Sequence, residues 1–178
     1  VRFSKGHPVE GIDRLTLNNN KQDRSLISQY LGYRLYAAAG LPAPRCGFAR
    51  VTVNGRYLGV YSNVEAIKKP FLKRSFGDDS GALFEGTVAD FIPDRLQRLE
   101  LKNAAATRAG MEPLAKLLAR PETDLEALAE LVDIDSFMKF WAMESLTGFW
   151  DGYANNQNNY FVYQNPADAR LVFIPWGL

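Results

Sequence analysis

Asp151 heads a run that holds Asn155, Asn156, Asn158 and Asn159 within the next eight residues, and the strand-forming stretch Tyr160-Phe161-Val162-Tyr163 follows at once. One carboxylate close to several neutral amide oxygens suits phosphoryl transfer. That chemistry needs a group to accept the proton of an attacking hydroxyl, and uncharged oxygens to help hold Mg²⁺. Asp151 and Asn156 are spaced Asp-x-x-x-x-Asn, while Asn159 stands directly before the strand. Asparagine-rich turns are also common as purely structural features, so the loop taken alone leaves both readings open. Its place after an apolar helix and before paired strands favours the chemical one.

Other chemistries find little support. There is no Gly-rich phosphate loop of Walker or dinucleotide type and no His-Glu-x-x-His. His7 is the only histidine and sits between Gly6 and Pro8, which reads as an exposed loop. The single cysteine, Cys46, excludes an internal disulfide framework and any multi-cysteine metal site. Lys and Arg number 21 against 20 Asp and Glu, a net charge of +1. That balance supplies no long-range field, so neither nucleic acid nor an anionic membrane is an expected partner. No apolar run approaches the length of a membrane span, roughly 18 residues.

The elements that must position the loop can be read outward from it. The chain of 178 residues is 47% hydrophobic, enough for one ordinary core. Asp133 or Asp135 starts a helix through Phe137, Met138, Phe140, Trp141, Met143 and Leu146, apolar on nearly all sides and therefore expected to be buried. Thr123 with Glu126 forms a capping box ahead of Leu125, Leu128 and Leu131. After the loop, Tyr160 to Tyr163 and Leu171 to Ile174 pair through Asn165-Pro166. Earlier, Phe48 to Val53 and Tyr57 to Val64 flank Asn54-Gly55, the pattern of a two-residue hairpin. A helix after Asp23 or Ser25 carries Ile27, Leu31, Leu35 and Ala38 at helical spacing and stops at Gly40 and Pro42. Lys68 to Phe76 reads as a short basic helix, and Ala82 to Glu85 and Leu99 to Leu101 as short strands. Val1 to Ser4 reads as part of a strand, and both ends read as cut within a larger domain. The layout is α+β with two lobes.

Strand, helix, hairpin, connector, helices, polar loop and strand pair is also the order of a protein kinase from its third strand onward. In that frame residues 1–65 are the N-lobe part, residues 66–178 the C-lobe part, and Glu65 the hinge. The residues resemble the CotH family of spore-coat and surface-protein kinases. The matching blocks are Leu15-Thr16-Leu17-Asn18-Asn19 with Asp23, then Val53-Asn54-Gly55-x-Tyr57-x-Gly59-Val60-Tyr61 with Glu65. Trp150-Asp151, Asn158-Asn159-Tyr160 with Tyr163, and Phe173-Ile174-Pro175-Trp176 complete them, so the resemblance spans nearly the whole chain.

The resemblance implies an atypical protein-kinase fold, incomplete at both ends, that uses ATP with Mg²⁺ or Mn²⁺ to phosphorylate serine-rich coat or surface proteins. It implies a spore-coat, cell-surface or secreted location. By position, Asp151 is similar to the catalytic aspartate, Asn159 (with Asn156 at kinase spacing) to the metal-side asparagine, and Glu65 to a residue of the nucleotide pocket. Trp150 and Trp176 are expected to pack the floor of the loop. The chain departs from the family where members read Pro-Trp-Asp-x-Asp, because Gly177 stands at the first of those aspartates. The phosphate-binding lysine falls upstream of Val1, and the helix after Asp23 holds no Glu to pair with it. On this reading residues 1–178 alone transfer no phosphate. The alternative is a surface-display or adhesion module that keeps the fold and has lost catalysis; a small-molecule kinase on the same scaffold is a third.

Overall fold

The structure is a computed structural model that describes residues 1–3, 14–122 and 124–178. His7, Ser4 and Thr123 therefore lie outside the described residues, and with them the exposed-histidine reading, the end of the first expected strand and one half of the capping box.

The hairpin forms as its turn residues require. β2 (Cys46–Val53) and β3 (Arg56–Val64) pair antiparallel, with Val53 opposite Arg56. Asn54 and Gly55 take φ of 50° and 78°, the left-handed pair that a type I′ turn demands. β1 (Thr16–Asn18) adds to the other side of β3, giving the order β1-β3-β2. Of the strand expected at Val1 to Ser4, the described part makes one isolated bridge, Arg2 to Arg14.

α1 (Ser28–Ala38) starts later than the Asp23 signal suggested. The Asp23 carboxylate accepts from Ser25 N–H and Oγ, closing a turn, and then from Ser28 N–H at 2.8 Å. The buried face of α1 is also different from the one its leucines mark. Gln29, Gly32, Tyr33 and Tyr36 are buried, whereas Ile27, Leu31 and Leu35 are 43%, 47% and 47% exposed. Tyr36 packs edge-on against Phe140, and Gly32 lets Leu178 approach to 3.0 Å of where a Cβ would stand. Two tyrosine rings bury more surface than the leucine stripe would. They decide the orientation.

The second sheet has the order β5-β4-β6-β7, every pair antiparallel: β4 (Leu83–Gly86), β5 (Glu100–Leu101), β6 (Tyr160–Gln164) and β7 (Leu171–Pro175). α2 (Lys69–Phe76) precedes it, with Pro70 in its first turn and Gly77 as left-handed cap. Between β4 and β6 run the short α3 (Pro93–Leu96), a 3-10 turn at Arg108–Met111, α4 (Glu112–Leu118), α5 (Leu125–Leu131) and α6 (Ile134–Thr147). Asp124 caps α5, accepting from Glu126 and Ala127 N–H. Asp133 caps α6 through Ser136 N–H.

α6 is not buried all round. Phe140, Met143 and Glu144 are buried on its inner face, while Met138, Trp141 and Leu146 are exposed. The inner face meets β7 and α1, and among the described residues no element covers the other. Phe173 of β7 lies at the centre of an aromatic cluster with Phe91, Phe137, Phe140, Tyr153 and Tyr160, at ring distances of 4.8 to 5.7 Å. The fold is thus α+β, with two small antiparallel sheets and the apolar core of the second lying under α6.

Candidate functional site

α6 ends at Gly148, whose φ of 63° turns the chain out of the helix. Trp150 follows and is 69% exposed, so it does not form the floor of the loop. Trp176 does pack inward, edge-on to Phe161 at 5.5 Å. The polar loop contains a short helix, α7 (Tyr153–Asn156), closed by Gln157 in the left-handed region at φ 48°.

This compact path brings three asparagines around Asp151. Asn156 Nδ2 donates to Asp151 Oδ1 at 2.7 Å, and Asn158 Nδ2 to the same oxygen at 3.2 Å. Asn159 Nδ2 donates to Oδ2 at 2.8 Å and to the Asp151 carbonyl at 3.0 Å. An ionised carboxylate only accepts, so each amide must turn its nitrogen toward it. Three side-chain donors occupy three of the about four acceptor positions of the carboxylate, and the one left lies on Oδ2. Asp151 as a whole is half-buried. It is oriented by neutral groups.

The asparagines are themselves braced. Asn158 Oδ1 accepts from Val88 N–H at 3.3 Å, and Ala89 N–H donates to the Gln157 carbonyl at 2.9 Å. Arg95 reaches Gln157 Oε1 at 3.1 Å, and Tyr153 OH donates to Asp90 at 3.1 Å. Burial pushes the Tyr153 phenol well above its ordinary range. Asn159 is φ-positive at 53°, and its carbonyl accepts from Trp176 N–H at 3.2 Å. Its Oδ1 faces Gly177, 2.9 Å from where a Cβ would be. Gly177 N–H in turn donates to the buried Tyr33 hydroxyl at 3.1 Å. α1, the end of β7 and the Asp151 loop are therefore joined in one chain of contacts.

The sequence reading grouped Asp151 with Asn156 and Asn159, and the structure brings those three together. It adds Asn158 to the group. Two further participants were missed: Glu144, whose carboxylate accepts from Tyr153 and Ala154 N–H at 2.9 and 2.7 Å, and Gly152, packed against that carboxylate. A lone Glu within an apolar helix, seven residues before Asp151, was the available signal.

Glu65 stands apart from this group. At the end of β3 it accepts from Arg45 N–H at 3.0 Å and from Arg74 Nη2 at 2.6 Å, and Arg74 also bonds the Ala43 carbonyl. Asn18 and Asn19 close the turn before α1, accepting from Asn20 and Lys21 N–H. A cleft of about 840 Å³ runs between that turn, α1 and the Trp150 side of the loop, with Gly177 and Leu178 in its wall; neither Asp151 nor Glu65 lines it.

Oxygen donors such as Asn159 Oδ1 and the Asp151 carboxylate are the hard ligands that Mg²⁺ takes. Among the described residues no group of three or more His, Cys, Asp or Glu comes together to hold a metal ion. Asn159 Oδ1 is the neutral oxygen of the group that faces Gly177.

A family model described as CotH kinase protein matches residues 2–178. The chain is similar to the inner spore coat protein H of Bacillus subtilis, 24% identical over 192 residues that cover 99% of this chain and 52% of that protein. It is also similar to the invasins CotH2 and CotH3 of Rhizopus delemar, at 28% and 27% identity over 85% of this chain and 29% and 28% of theirs. The chain thus spans about half the length of the Bacillus relative and under a third of the invasins.

Proposed function

The chain belongs to the CotH kinase protein family, and from that premise we propose that it is the part of an ATP- and metal-dependent protein kinase that carries the catalytic loop, acting on serine hydroxyls of coat or surface proteins. Asp151 is the catalytic residue of this reading. Its open Oδ2 position receives the acceptor hydroxyl, orients it toward the phosphate and takes its proton. The collar of Asn156, Asn158 and Asn159 around Asp151 is the observation that carries the proposal.

Mg²⁺ or Mn²⁺, when bound, neutralises phosphate charge, and Asn159 Oδ1 is the donor assigned to it. Asn156, grouped with the metal side by its spacing, spends its amide on Asp151 and serves orientation. Glu65 serves the nucleotide side by fixing the end of β3, because its carboxylate is engaged by Arg45 and Arg74. The atypical kinase architecture, with a division near Glu65, belongs to the same proposal. So does a spore-coat or cell-surface location, which the names of the relatives support. No helix among the described residues is long and apolar enough to cross a membrane.

The test is phosphate transfer from labelled ATP with Mg²⁺ to a serine-rich protein by the full-length protein. Asp151→Asn should lower the rate by about 10²–10⁴-fold; an unchanged rate removes Asp151 from the chemistry. The similarity to two proteins named invasins favours one second reading, a surface adhesion module on the same fold. In that case binding to host cells survives Asp151→Asn and no transfer is found.

A further inference from the structure

Glu144 is an acidic side chain on the inner face of α6, 1% exposed, on the face where Phe140 and Met143 are also buried. Burying a carboxylate there is costly unless it is well hydrogen-bonded. Its partners are not another side chain's charge but two backbone amides of the catalytic loop: Tyr153 N–H donates to Oε1 at 2.9 Å and Ala154 N–H to Oε2 at 2.7 Å. Gly152, between them and Asp151, approaches so closely that a Cβ would lie 2.4 Å from Glu144 Oε1 and 2.7 Å from Phe149 Cδ1. The α6 carboxylate thus presses against the residue that follows Asp151 and grips the next two.

We infer that Glu144 is a positioning residue for Asp151: from the rigid helix it fixes the backbone on which the catalytic carboxylate stands, without touching substrate itself. The inference rests on the proposed role of Asp151. The geometry explains why the loop needs this particular side chain. Asp151 hangs between two anchors, the asparagine collar at its carboxylate and Glu144 at its backbone. The collar alone sets the carboxylate relative to the loop. Glu144 ties the first turn of the loop to α6 by hydrogen bonds, beside the edge-on contact of Phe137 with Tyr153, and through α6 to the Tyr36 face of α1. Burial raises the Glu144 carboxyl above its ordinary range while the two amides act to lower it. Two carboxyl oxygens accept from both donors at once, whereas a glutamine at this position offers one oxygen and turns an NH₂ group against the other N–H.

The experiment uses the full-length protein with Glu144→Gln, Asp151→Asn and the double variant. Misplacing a catalytic group by about 1 Å costs on the order of 10²-fold. Glu144→Gln is therefore expected to lower kcat by about 10–100-fold, with KM for ATP within roughly twofold. In the Asp151→Asn background the same change should have almost no further effect, because it acts through Asp151. Independently of activity, amide hydrogen exchange at Tyr153 and Ala154 should quicken by about tenfold in Glu144→Gln while β6 and β7 stay protected. The inference is overturned if Glu144→Gln keeps its kcat, if it lowers kcat equally in both backgrounds, or if the two amides exchange as before. If the wild type transfers no phosphate, or Asp151→Asn matches it, the reading of Asp151 fails and the inference falls with it. That outcome is told apart by the Asp151 arm alone.

Discussion

The hydroxyl of Tyr33, buried in α1, accepts the backbone N–H of Gly177 at 3.1 Å, although the two residues are 144 positions apart. The contact seats the end of β7 against α1, next to Asn159. Tyr33→Phe keeps the ring and removes the acceptor. It should cost about 1 kcal/mol, the usual net worth of such a bond, read from urea unfolding. The Gly177 amide should exchange faster.

The three asparagines should not contribute equally. Asn159 makes two bonds to Asp151 and Asn158 links Asp151 to Val88, whereas Asn156 is exposed. Alanine at Asn159 or Asn158 should destabilise by about 1–2 kcal/mol, and at Asn156 by under about 0.5 kcal/mol. Phosphate transfer should fall in the same order. An Asn156→Ala variant as impaired as Asn159→Ala would contradict the collar.

Gly152→Ala should destabilise by about 1–3 kcal/mol, because the new Cβ meets Glu144 and Phe149 in a packed site. The backbone there, at φ −87°, is open to any residue, so the cost is steric. Gly110→Ala is the control: the nearest atom is 3.6 Å away, and the change should be neutral or slightly stabilising. Thermal unfolding of the two variants separates space from backbone conformation.

The orientation of α1 is checked by pairing outward and inward changes. Leu31→Gln and Leu35→Gln should lie within about 0.5 kcal/mol of the wild type. Tyr36→Ala should cost about 3–5 kcal/mol. The reverse ranking would restore the face that the leucines mark.

These comparisons show what was legible in the sequence. Turns written in local chemistry were: Asn54-Gly55 fixes its own φ values, Asp133 caps α6, and the strand pair around Asn165-Pro166 forms. The Asp151 group was legible because its members lie in one short loop, where spacing is nearly geometry. The buried face of α1 was not. Periodicity finds a stripe of leucines, but which stripe turns inward depends on Phe140 and Leu178, far away in the chain. Glu144 was hidden for another reason, although its partners are only nine and ten residues on. Its partners are backbone amides, which carry no residue-type signal.

Acid should act on the start of α1. The Ser25 hydroxyl, the Ser28 amide and the Ser25 amide hold the Asp23 carboxyl well below the usual carboxylate range. Its folded pKa lies below the unfolded value of about 3.9, so its stabilisation is complete above that pH and is lost as pH falls toward the folded value. Asp23→Asn keeps an acceptor but cannot titrate. The drop in melting temperature between pH 5 and pH 3 should therefore be smaller in Asp23→Asn than in the wild type; an equal drop in both would remove Asp23 from the acid transition.

The sheet order β5-β4-β6-β7 has a consequence for self-association. An open sheet edge is a template that another chain can extend. Here β5 is two residues long, and Lys102, directly after it, pairs with both Glu100 and Glu85. At the far side, β7 is met by α6 and bridged in parallel by Val132. In the first sheet, the outer strand β2 shifts register between Val51 and Thr52. Each of these borders is short, covered or kinked, so the sheets offer a neighbouring chain little continuous backbone on which to build an aggregate.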